Sequence, residues 1–165
     1  MSTVKIKEVS EQTNWDGIAS IFNYYIRTST AAFRIQEIGS NHFYDDWKAN
    51  PTYPFYEITD EDKVIGFGSM NAFRAAKSMN SAAVFTYFLS PENTGKGIGQ
   101  KLLDRLIKDG LTMGKTNFLV SISSENEGSL NFHKKNGFTE CGRFHSVGKK
   151  FGRQFDMVWM QRIEK

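Results

Sequence analysis

Residues 84–110 read VFTYFLSPENTGKGIGQKLLDRLIKDG. The opening VFTYFL (84–89) has the aromatic and β-branched make-up of a strand. Leu102, Leu103, Leu106, Ile107 and Leu111 recur at the spacing of one helical face, which predicts a helix ending at Gly110 or Gly114. Gly95, Gly97 and Gly99 stand between the two elements. A helix start carries unpaired N–H groups and the positive end of its dipole, and glycines let a bulky anion approach them closely. A pyrophosphate fits that description. The spacing excludes a phosphate loop ending in Gly-Lys-Ser/Thr, and Leu102 stands where a G-x-G-x-x-G fingerprint needs its third glycine or an alanine. Taken alone, the loop is equally well read as a tight strand-to-helix turn with no ligand.

Outward from this stretch the chain shows order without repeats. Residues 4–9 alternate apolar and polar, as a half-buried strand does. Trp15, Ile18, Ala19, Ile21, Phe22, Tyr25 and Ile26 mark a first helix behind an Asn14 cap. A short helix is expected near residues 41–48, then strands at 55–59, 64–73 and 82–89. After the glycine loop and its helix come strand 117–122, a helix over SLNFHKKN (129–136) closed by Gly137, and strands at 138–147 and 155–163. Antiparallel neighbours followed by strand-helix-strand-helix predict an α/β (α+β) fold: one mixed, mostly antiparallel sheet of about six or seven strands with about four helices.

Composition narrows the function. At 165 residues the chain is read as a single domain, 1–165, and 39% hydrophobic with 24% charged residues is ordinary for a soluble globule. A formal charge of +3 with no basic block argues against nucleic acid or an anionic membrane as partner. No run reaches the length of a membrane span, and MSTVKIKEVS has no signal-peptide core, so a cytoplasmic location is expected. Cys141 is expected to be a small buried residue, and three scattered histidines have no zinc-ligand spacing, so no metal is expected.

Two motifs carry a resemblance. Thr94-Gly95-Lys96-Gly97-Ile98-Gly99 is similar to the acetyl-CoA loop, Q/R-x-x-G-x-G/A, of the GCN5-related N-acetyltransferase (GNAT) superfamily, and Asn126 through Ser129, Phe132, His133, Gly137 and Phe138 resembles its second signature, in order and at the expected separation. IFNYYIRTSTAAF (21–33), Phe73-Arg74 and GKKFGRQFD (148–156) resemble the phosphinothricin and methionine-sulfoximine acetyltransferase group over nearly the whole length.

The resemblance implies an acetyl-CoA-dependent N-acetyltransferase acting on the primary amine of a small amino-acid-like substrate. The attack is direct, in a ternary complex, with acetyl-CoA as co-substrate and no metal. By similarity, backbone groups of Tyr87, Phe88 and Leu89 hold the pantetheine and acetyl carbonyl. The N–H groups of Gly95, Lys96, Gly97, Ile98, Gly99 and Gln100 cradle the pyrophosphate, and Asn126 bonds the pantetheine arm. Thr94 departs from the usual Gln or Arg. His133 stands where the superfamily commonly has a tyrosine acting as general acid, and a packing role is the alternative reading. Arg74 would meet a substrate carboxylate, with Phe33 and Thr30 as one pocket wall. A homodimer is also implied.

One position breaks the pattern. The group has a glutamate five residues before the last apolar residue of the strand preceding the loop; here that residue is Val84. A water chain, or Glu57 or Asp156, could take the proton instead. Otherwise the chain is an acyl-CoA-binding module with weakened catalysis, acting through a partner.

Overall fold

The computed structural model describes residues 2–165. Seven strands form one sheet: β1 (Val4–Glu8), β2 (Phe55–Asp60), β3 (Lys63–Ala72), β4 (Ala82–Leu89), β5 (Asn117–Ser123), β6 (Thr139–Lys150) and β7 (Arg153–Ile163), in the order β1-β2-β3-β4-β5-β7-β6. Among the described residues only β4 and β5 pair in parallel. Four helices cover the sheet: α1 (Trp15–Thr28), α2 (Asn41–Ala49), α3 (Ile98–Thr112) and α4 (Glu127–Lys135). The mixed sheet and the helix count are those the sequence predicts.

Each helix buries the stripe its sequence shows. The side chain of Asn14 caps α1 by accepting the Gly17 N–H at 2.9 Å. Ile18, Phe22 and Ile26 then pack with Phe43 of α2 and with Phe55 and Phe67 of the sheet. On the opposite face, Leu102, Leu103 and Leu106 of α3 pack on Tyr56, Met70, Phe85 and Phe118. Leu111, read as part of that stripe, is 46% exposed.

Helix α3 also runs through Gly110, to Thr112, and ends at Gly114, whose φ is 80°. Gly110 is there for packing: a Cβ on it would lie 2.4 Å from a ring carbon of Phe118 on β5. Gly110→Ala is therefore expected to cost about 2 kcal/mol through overpacking. At this chain length that is a fall of about 6 °C in Tm, measurable by thermal melting.

The arrangement of β4 and β5 sets the site. Their pairing comprises Ala82↔Asn117, Ala83↔Phe118 and Val84↔Leu119 and then stops. Beyond Val84 and Leu119 the two strands diverge as a V, closed at the Ala82 end and open towards the glycine loop.

Two sequence expectations are corrected. Cys141 is exposed, because β6 is an edge strand whose residues face solvent along nearly its whole length. The helix of the second signature begins at Glu127 rather than Ser129, since Asn126 caps it by accepting the Ser129 N–H at 3.2 Å.

Candidate active site

The backbone of β4 supplies the open side of the V. Ser90 N–H donates to Ile65 O at 2.8 Å and Phe73 N–H to Ala82 O at 3.4 Å. Antiparallel ladders alternate, so the backbone groups of Val84, Thr86 and Phe88 point to β3, while those of Phe85, Tyr87 and Leu89 point into the gap. Tyr25 approaches from that side and donates its hydroxyl to Leu89 O at 2.5 Å. Tyr87 and Leu89 thus offer the groups an extended ligand would pair with. Phe88 is among the groove's lining residues, but its backbone groups are engaged with β3, a correction to the implied backbone role.

A groove of about 720 Å³ leads from the mouth of the V to the glycine loop, lined by Leu89, Gly95, Gly97, Gly99, Gln100 and Asn126 among others. Gly95 and Gly97 have φ of 73° and 80°. This left-handed backbone turns successive N–H groups to one side, and only glycine adopts it without strain. The first hydrogen bond of α3 is Lys101 N–H to Gly97 O at 3.3 Å, and no side chain caps the helix. The N–H groups of Ile98, Gly99 and Gln100 are accordingly available to an anion. Lys96 is exposed and the side chain of Ile98 is buried in the core, so both bring backbone rather than side chain to this cradle. The oxygen of Asn126 is spent on capping α4, which leaves its amide N–H groups for the groove.

A strand opened at one end beside an uncapped glycine-rich helix start suits an extended ligand carrying a pyrophosphate. The GNAT acetyltransferase domain model matches residues 40–159. The chain belongs to the GNAT acetyltransferase family.

L-amino acid N-acyltransferase MnaT of Escherichia coli K12 is 30% identical over 146 residues, spanning 87% of this chain and 85% of that protein. The L-methionine sulfoximine/L-methionine sulfone acetyltransferase of Salmonella typhimurium is 27% identical over 154 residues, spanning 92% and 90%. Among solved structures, a GNAT superfamily phosphinothricin acetyltransferase from Sinorhizobium meliloti in complex with AcCoA superposes with a TM-score of 0.89 at 25% identity, covering 98% of this chain and 89% of that one.

The GNAT cleft continues from the groove into the V, between Thr86 and Tyr87 on one strand and Val120, Ser121 and Ile122 on the other. Phe33 lines it, stacked on Phe155 at 6.1 Å. Thr30 does not. Its hydroxyl is buried, 2.7 Å from Ser123 Oγ and 3.1 Å from Glu125, which Arg153 holds through two hydrogen bonds of 2.8 Å. Thr30 therefore braces the pocket wall from behind.

Arg74 lies beyond β3 near the closed end of the V, over the Phe73 ring at 4.7 Å, and is not among the groove or cleft residues. The cation that lines the cleft is Arg34. Sequence reading passed over it because nothing about an arginine in an irregular segment says which way it faces.

His133 lines the cleft but is only 2% exposed. Burial lowers its pKa, opposed by its hydrogen bond to Ser129 O.

Val84 sits at the last paired rung of the V. Among the described residues lining the groove and cleft there is no carboxylate. Glu57 is two strands away, engaged by Thr13 at 3.4 Å and Lys7 at 3.8 Å. Asp156 accepts the Ser146 N–H at 2.8 Å and Arg143 at 3.0 Å, and these bonds hold its pKa below the ordinary range. It fixes the irregular turn of β6 around Ser146, whose φ is 53°. Neither is placed to receive a proton from an amine in the cleft.

Proposed function

We propose that the chain is an acetyl-CoA-dependent N-acetyltransferase that acetylates the primary amine of a small amino-acid-like substrate by direct attack in a ternary complex. The observation that carries this reading is the V. Three rungs of β4–β5 pairing open into a gap faced by the backbone groups of Tyr87 and the N–H of Leu89, whose carbonyl is held by the Tyr25 hydroxyl, and the gap is continuous with the uncapped N-terminus of α3. The pantetheine arm pairs with those groups as an added strand, Asn126 bonds it from the other side, and the N–H groups from Gly95 to Gln100 hold the pyrophosphate.

The acceptor enters the cleft beside Phe33. Its carboxylate meets a cation at the rim, for which Arg74, by resemblance, and Arg34, by position, are the candidates. Catalysis rests chiefly on holding the amine against an already reactive thioester, which supplies a large share of the rate.

The test is free-thiol release from acetyl-CoA with amino acids, their sulfoximine and phosphinic analogues, and polyamines. Turnover is expected with an amino-acid-like acceptor. Truncating whichever arginine binds the carboxylate to alanine is expected to raise KM about tenfold or more, the loss of one charge-assisted pair. If Arg34→Ala and Arg74→Ala both leave KM unchanged, the carboxylate assignment is wrong.

Val84 favours a second reading, a module that binds acyl-CoA and acts through a partner; tight calorimetric binding of acetyl-CoA with no thiol release from any acceptor would put it ahead. We also infer a cytoplasmic homodimer. Phe144 and Val147, 58% and 59% exposed on the edge strand β6, support the dimer, and light scattering at micromolar concentration tests it.

A further inference from the structure

Both ring nitrogens of His133 are engaged. Nδ1 lies 2.7 Å from Ser129 O. A carbonyl can only accept, so Nδ1 carries the proton. Nε2 is left with a lone pair, and the hydroxyl of Tyr87 is bonded to it, so Tyr87 is the donor. The two rings stack at 5.7 Å, and Phe132 and Phe138 close on the imidazole edge-on at 5.2 and 5.1 Å. These neighbours on β4, on α4 and after it bring no charge to His133; its polar contacts are Tyr87 and Ser129. Tyr87, in turn, lines both the groove and the cleft, at the point where the two meet.

No nitrogen of His133 is therefore free to meet a substrate. The reactive end of the pair is the Tyr87 hydroxyl oxygen, which keeps lone pairs after donating its proton. We propose that Tyr87 and His133 form the proton relay of the acetyl transfer, with Tyr87 touching the reacting atoms and His133 acting through it. This rests on the acetyltransferase reading above.

The relay balances. As the amine nitrogen bonds to the thioester carbon, the carbonyl electron pair moves to oxygen, and the nitrogen's surplus proton passes to the Tyr87 oxygen while Tyr87 gives its own proton to His133 Nε2. When the oxygen's electron pair re-forms the carbonyl and the C–S bond breaks with its pair on sulfur, the transfer runs backwards: Nε2 returns the proton to Tyr87, and Tyr87 delivers one to the thiolate. The net change is one proton moved from nitrogen to sulfur, with the protein restored. Burial, which lowers the His133 pKa, also raises the Tyr87 phenol far above its ordinary value, so a free phenolate is disfavoured there. A carboxylate at residue 84 is then unnecessary.

The test uses the full chain. Nitrogen-15 NMR of the imidazole reads the tautomer without any turnover. Nδ1–H with Nε2 as acceptor is expected, with the Nε2 resonance shifting in Tyr87→Phe; an Nε2–H tautomer would overturn the relay. In thiol release, Tyr87→Phe is expected to lower kcat about 100-fold, the scale of a lost general acid–base group. Its acetyl-CoA affinity should stay within about threefold of wild type, because the groove contacts are backbone.

His133→Gln, which keeps an acceptor but stores no proton, is expected to match that loss. The double variant should be no worse than either single, as for residues that act as a unit. Wild-type kcat in Tyr87→Phe, or additive losses in the double variant, would sink the relay and leave the acetyltransferase reading standing. No thiol release by the wild type would sink both. Tyr87→Phe preserves the ring packing, so the conclusion stands on it if His133→Gln fails to fold.

Discussion

Gly97→Val is expected to weaken acetyl-CoA binding about 100-fold, or about 2.7 kcal/mol. Gly97 has φ of 80° and immediately precedes the three free N–H groups at the start of α3. A β-branched residue at that φ is strained by about 1–2 kcal/mol. If the loop holds its shape, the new side chain projects into space now empty, since a Cβ built on Gly97 meets no protein atom within 4 Å. If the loop relaxes instead, the N–H groups turn away from the phosphates. Either outcome costs affinity, and calorimetry reads it directly. Lys96→Ala is the control. Its side chain is exposed and outside the groove lining, so an effect below about threefold is expected at physiological salt.

Lys150→Met is expected to lower stability by about 3–4 kcal/mol, since it leaves three buried carbonyls without a donor at about 1–3 kcal/mol each before the site relaxes, and Tm by about 10 °C. Lys150 is 5% exposed, and its ammonium donates to Ile26 O, Ser29 O and Ala32 O at 2.9, 2.8 and 2.9 Å. Three donors meet three carbonyls at the end of α1 and in the segment behind it. Burial lowers the lysine's pKa, but the hydrogen bonds are complete. Methionine matches the length and abandons all three carbonyls.

The same contact fixes Ala31, Ala32 and Phe33 as the wall of the cleft. The surviving folded fraction should therefore show a raised acceptor KM while acetyl-CoA affinity, which depends on β4 and the glycine loop, changes little. Lys150→Arg is not expected to restore stability, because a planar fork cannot place three donors around one point. A Tm within about 2 °C of wild type would show that the carbonyls find other partners.

The frame of this molecule was legible because periodicity reports which face of an element is buried. Ile18, Phe22 and Ile26 on α1, and Leu102, Leu103 and Leu106 on α3, lie where their spacing puts them. The glycine loop was legible for a local reason: left-handed backbone and close approach of an anion both need residues without a Cβ. What could not be read depends on long-range company. Lys150 looks like a solvated lysine near a turn, and only the return of β6 past the end of α1, 124 positions away from Ile26, makes it a helix cap.

Tyr87 reads as one aromatic among several on β4. Its meeting with His133, 46 positions on, follows from where α4 crosses the V. Thr30 reads as a pocket-wall residue, yet its hydroxyl is turned to Ser123 and Glu125; a sequence does not tell a lining residue from one that braces it. Cys141 follows the general preference of cysteine for burial until the sheet order shows that β6 has no neighbour on its outer side.

The central claim is that an amine bound in the V is acetylated by a thioester held along β4. Incubating the purified protein with acetyl-CoA and L-methionine sulfoximine, phosphinothricin or common L-amino acids, and reading the amine by mass spectrometry, tests it most directly. The account predicts that at least one acceptor gains a single acetyl group at a rate matching thiol release, and that Tyr87→Phe slows both together. Thiol release without any acetylated amine would mean hydrolysis, and bound acetyl-CoA with neither product would contradict the account.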